Sequence, residues 1–166
     1  MKYVNKQFGI GLFCLLIFIV THVSFSQEPQ DLVNDKASLN LKIAKQIAYA
    51  CETKAEELGV SVGIVVLDQV GNLKLSYLMD GQSVTSLEWA KAKALSAFEF
   101  KQATNKGEFR VWNIGEKTMV LGVAGGASLL NKDDLLGSIG VSGTKGASDD
   151  IIANAGLKEF NSILAE

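Results

Sequence analysis

The stretch Leu136-Gly137-Ser138-Ile139-Gly140-Val141-Ser142-Gly143 decides how this chain folds, together with Ser148-Asp149-Asp150 and the helical pattern that follows. Its small residues let other backbone approach closely. The strand ends in a glycine-bearing loop that leads to a helix start, and a helix start can hold an anion. The stretch therefore marks a ligand pocket, without naming the ligand or a reaction.

Upstream lie two more strands. Val60 to Leu67 is rich in β-branched residues, and Leu73 to Met79 alternates apolar and polar residues. Asp68-Gln69-Val70-Gly71-Asn72 reads as the turn of a hairpin that Asp80-Gly81 closes. Ahead of the hairpin, Leu41, Ala44, Ile47, Ala48, Cys51, Ala55 and Leu58 recur at helical spacing, predicting a helix over 38–58. After it, Thr85-Ser86-Leu87-Glu88 fits a capping box for an alanine-rich helix through Phe98. Phe109 to Gly115 reads as an irregular or short helical connection with exposed aromatics. Met119 to Leu121 and Ala127 to Leu130 read as short strands, and Asn131 to Asp134 as a turn. Ser148 is positioned to cap the last helix, with Asp149 and Asp150 favouring its dipole. Hairpins dominate this order, so an α/β (α+β) fold with a mainly antiparallel sheet and packed helices is expected.

The N-terminus reads as an export signal. Lys2 and Lys6 precede an apolar run from Phe8 to Val20, about 13 residues and too short to span a bilayer. Ser24-Phe25-Ser26 offers small residues for cleavage after Ser26. The expected organisation is a signal peptide over 1–26, a flexible leader over 27–37 and one domain over 38–166. The destination is periplasmic or secreted, with no stable membrane insertion after cleavage. The remaining chain carries 14 basic and 18 acidic residues. No basic cluster suits nucleic acid or an anionic membrane. His22, the only histidine, leaves with the signal, which removes imidazole from catalysis and metal binding. Cys51 is then the only cysteine, so no internal disulfide forms.

The ordered set of motifs carries a resemblance. Asp68-x-x-Gly71, Met79-Asp80-Gly81, Ser86, Ala90 and Lys93-Ala94-x-x-Ala97 occur in turn. Gly125-Gly126, Gly137-x-Ile139-Gly140-Val141-Ser142-Gly143, Asp149 and Ala155-Gly156-Leu157 follow. This succession resembles the HbpS/GlcG-like haem-binding family over roughly Ile43 to Phe160. The resemblance implies a profilin-like fold with a five-stranded antiparallel sheet between helical layers. It also implies small-ligand binding, haem as the cofactor in some relatives, and frequent homo-oligomers. Other relatives sit in carboxylic-acid or corrinoid pathways. The chain departs from the pattern at Leu78, where many relatives have arginine, and at Ala127, where many have proline.

The candidate ligand-binding residues are Lys93, Gly125, Gly126, Ser142, Gly143, Asp80 and Met79. Lys93 matches the family's lysine and suits an anionic ligand group such as a haem propionate; the alternative is a solvated surface lysine. Gly125-Gly126 and Ser142-Gly143 offer backbone donors or simply make turns. Asp68, Asp80 and Asp149 are most simply turn and cap residues. Haem iron would need Met79, Met119, Tyr49, Tyr77, Cys51 or a weak oxygen donor, with Met79 first. Trp89, Phe109 and Trp112 suit a wall for a flat ligand or a subunit interface. No catalytic set or metal-ligand cluster stands out. The leading expectation is an exported protein that binds haem, another tetrapyrrole or a small anionic ligand. The alternatives are an enzyme or accessory protein for a small carboxylic acid, and an oligomeric assembly module without turnover.

Overall fold

The computed structural model describes residues 38–165. The expected signal peptide and leader, with Cys14 and His22, lie outside them. The order is α1 (Leu41–Glu57), β1 (Gly63–Asp68), β2 (Leu73–Leu78), α2 (Val84–Phe100), β3 (Arg110–Ile114), β4 (Lys117–Leu121), β5 (Gly126–Asn131), β6 (Asp134–Ser142) and α3 (Ala147–Leu164). None of these helices is long and apolar enough to cross a membrane.

The central sheet runs β2-β1-β6-β5, antiparallel throughout. β1 is buried along its whole length because both faces are covered. Ile64 and Val66 join the core beneath α1 and α3, while Val65 and Leu67 join the core beneath α2. That is the two-residue alternation of a strand expressed as two apolar layers. β6 divides differently. Ile139 and Val141 fill the α1–α3 side, whereas Ser138 and Gly140 face α2. A Cβ on Gly140 would lie 1.9 Å from the Ala90 carbonyl oxygen, so only glycine admits α2 this close. The alanines of α2 complete the approach, with Ala90, Ala94 and Ala97 fully buried. Ser138 and Ser128 donate to the carbonyl oxygens of Ala94 and Ala97 at 2.8 and 2.7 Å, so no hydroxyl is stranded in the contact.

Four sequence expectations need correction. The expected five-stranded sheet is a four-stranded sheet with a separate hairpin, β3–β4. Thr104, not β4, takes the start of the β5 edge. Its N–H donates to the Gly126 carbonyl and its hydroxyl accepts from the Gly126 N–H, which occupies the start of the β5 edge. β4 instead docks on α2, where the Val120 N–H meets the Ser96 hydroxyl. The stretch 109–115 is no irregular connection, since Arg110–Ile114 is a strand paired with Lys117–Leu121. α2 begins at Val84, and its N-cap is Ser83, whose hydroxyl accepts from the Ser86 N–H, not Thr85. α3 begins at Ala147 behind Gly146, so Ser148 lies inside the helix and caps nothing.

Candidate functional site

α2, the turn before β5, the end of β6 and the start of α3 converge on one cleft of about 400 Å³. Its lining includes Trp89, Lys93, Gly122, Ser142, Thr144 and Asp149. At its floor, the Lys93 ammonium donates to Asp149 Oδ2 and to the Val141 carbonyl, both at 2.8 Å. Both side chains are buried, at 6% and 3% exposure. Asp149 Oδ1 accepts the Thr144 N–H at 3.0 Å and the Thr144 hydroxyl at 2.8 Å. The carboxylate is thus oriented from one side and charge-paired from the other. Lys93 lines the cleft, and two of its three donors are used inside the protein.

Burial lowers the Lys93 pKa from its ordinary value, and the hydrogen bond and charge of Asp149, helped by Asp150, work against that shift. Gly125 lies behind the pair with φ +110°. A Cβ there would fall 2.3 Å from the Val141 carbonyl oxygen and 3.1 Å from Lys93 Nζ. Its N–H reaches Asp150 Oδ1 at 3.4 Å.

Of the residues expected from sequence, Lys93, Gly125 and Ser142 come together here. Gly126 lies one step away, held by Thr104. Gly143 turns elsewhere, its carbonyl accepting from the Gln82 side chain at 3.0 Å, which also donates to Ser61. Met79 packs against the α1–α3 core, and Asp80 is exposed in the turn beyond it; neither lines the cleft. Lys93 is buried and ion-paired, not solvated. Thr144 was not legible in the sequence, because a threonine five residues before an aspartate carries no recognised motif.

Trp89 also borders a second groove of about 290 Å³, lined by Val84, Thr85, Glu88, Ala92, Val111 and Thr118. Trp89 is thus common to the polar cleft and to a largely apolar groove between α2 and the β3–β4 hairpin. The other aromatics lie apart from both. Trp112 packs on Phe100 with ring centroids 5.4 Å apart, and Phe109 is exposed. Among the described residues no group of three or more His, Cys, Asp or Glu side chains is placed to hold a metal ion.

Comparison with known proteins agrees with the fold. An uncharacterized 15.0 kDa protein from the dhaT-dhaS intergenic region of Citrobacter freundii is 29% identical over 135 residues, covering 76% of this chain and 95% of the relative. The crystal structure of Klebsiella pneumoniae ORFY is 27% identical with a TM-score of 0.63, over 79% of this chain and 98% of that one. The crystal structure of HbpS is 26% identical with a TM-score of 0.63, over 76% of this chain and 92% of that one. A family model described as haem degrading protein HbpS-like matches residues 39–158, most of this sequence. The ordered motifs and the tertiary structure thus lead to one conclusion: the chain belongs to the HbpS-like family.

Proposed function

We propose that this protein binds a flat, carboxylate-bearing tetrapyrrole, haem in the first instance, across the Trp89 ring, and does so outside the cytoplasm. The observation that carries the reading is that Trp89 lines two different spaces. One is a largely apolar groove and the other a cleft with polar donors. An amphiphilic macrocycle has the same layout, with its ring apolar and its carboxylates at one edge. Val84, Ala92 and Val111 suit the ring. The remaining Lys93 N–H and the Ser142 hydroxyl suit a carboxylate. The two spaces are of the size that small-molecule sites occupy. Membership of a family described by haem degradation supports the choice of ligand.

The residues fit the macrocycle better than the metal. The residues lining the two spaces include no histidine, cysteine, methionine or tyrosine, the usual protein ligands of haem iron. The side-chain oxygens nearest the apolar groove are those of Thr85, Glu88 and Thr118. When bound, haem would supply the redox chemistry; these residues supply the bed and the carboxylate contacts. The export half of the proposal rests on the N-terminal pattern, and a mature protein beginning at Gln27 is expected.

The test is a haem titration of the purified protein followed by absorbance. A saturable, stoichiometric Soret change that weakens in Trp89→Ala and Val111→Asp is expected. A non-saturable change, or equal binding by those variants, overturns the reading.

A further inference from the structure

The floor of the polar cleft has chemistry of its own. Most of α2 facing the sheet is alanine and serine, yet position 93 is lysine, buried beside a carboxylate. A buried ion pair is seldom more stable than apolar residues of the same volume, so stability alone does not account for it. The pair is not sealed in the core either, since both members line the cleft. Thr144 holds one oxygen of Asp149, leaving the other on the ammonium at 2.8 Å. Behind the amine stands Gly125, with no side chain to crowd it. A lysine whose burial favours its neutral form, next to a group able to take and return its proton, is the equipment of imine chemistry.

We propose that Lys93 forms a reversible imine with a small aldehyde or ketone admitted to this cleft, with Asp149 carrying the protons. Asp149 Oδ2 takes a proton from the ammonium. The freed amine attacks the carbonyl carbon, and the carbonyl oxygen, now bearing the electron pair, receives that proton. Asp149 then takes a second proton from nitrogen and delivers it to the hydroxyl. The carbon–oxygen bond breaks, water leaves and the carbon–nitrogen double bond forms. One ammonium and one carbonyl compound give one protonated imine and one water. The positive charge beside Asp149 is the same before and after, so the buried carboxylate never loses its counter-charge. This activity does not rest on the haem reading, because it needs only the polar half of the site.

The experiment treats the full purified chain with acetaldehyde and sodium cyanoborohydride at neutral pH and maps ethylated lysines by peptide mass. Lys91, exposed on the same helix two residues away, is the internal reference. Lys93 is expected to be ethylated severalfold faster than Lys91, at a rate that saturates with acetaldehyde, and to give no adduct without the reductant. Lys93 labelling that is absent, or no faster than at Lys91, overturns the proposal. So does an adduct that survives digestion without reductant, since an imine would hydrolyse. The wild-type ratio needs no variant, so the answer does not depend on how well Lys93→Met folds.

Discussion

Lys93 on α2 and Asp149 on α3 stand 56 residues apart in sequence and meet at 2.8 Å, with neither side chain more than 6% exposed. The contact ties the helix on one face of the sheet to the helix on the other, around the end of β6. It sets both the chemistry of the cleft and a large local dependence of stability.

Removing one partner should be severe. Asp149→Ala leaves a buried ammonium with only a carbonyl to receive it, and a loss of about 3–5 kcal/mol is expected in urea unfolding. Replacing both, as Lys93→Met with Asp149→Leu, should restore most of that loss. A double variant as unstable as Asp149→Ala would show that the pair does not account for the loss.

Gly140→Ala should damage the α2 contact. The added methyl would lie 1.9 Å from the Ala90 carbonyl oxygen and 2.6 Å from the Ala94 nitrogen, both backbone atoms that cannot turn aside. Overpacking of this kind costs about 1–3 kcal/mol or more. Thermal unfolding should show a clearly lowered midpoint, and an unchanged midpoint would mean that α2 is not seated this tightly.

Asp68 gives stability a dependence on acid. Burial by itself would raise its pKa, but the N–H groups of Asn72 and Val70, the Asn72 side chain and Lys74 outweigh that and hold it below 3.8. The folded state therefore favours the ionised form. Its contribution is fully present above the unfolded value and fades as the pH falls through the lower folded value. Urea unfolding of wild type and Asp68→Asn should differ at neutral pH and converge as the pH falls below about 4. A gap that persists unchanged at acid pH would rule out this charge as its source.

Cys51 should be inert in the native protein. Its thiol is fully buried beside Gly156, and burial pushes its pKa up to about 12. Thiolate is the reactive form, so iodoacetamide should modify the Cys51 peptide only after denaturant is added. Ready labelling of that peptide in native buffer would contradict the packing of α1 on α3.

Several features were legible in the residues themselves. β1 is apolar from Gly63 to Leu67, with only Asp68 charged at its end, which suits a strand covered on both faces. The alanines of α2 and the glycines and serines of β6 announced a close helix–sheet contact, because small volume is a property of the residue. The ordered motifs were enough to reach the family. The β3 strand was not legible. Of Arg110–Ile114 only Trp112 is even half-buried, so there was no in-and-out alternation to read. Lys93 was legible as a candidate, but not as half of a buried pair.

The sequence by itself determined which segments are apolar, where backbone can approach backbone, and so the two-sided α/β layering. Local volume and period suffice for that, since each is carried by residues a few positions apart. Only the tertiary structure decided that Lys93 meets Asp149, that Thr104 bonds the start of the β5 edge, and that Trp89 borders two spaces at once. Those outcomes depend on distances between residues far apart in the chain, which are set when the helices close over the sheet.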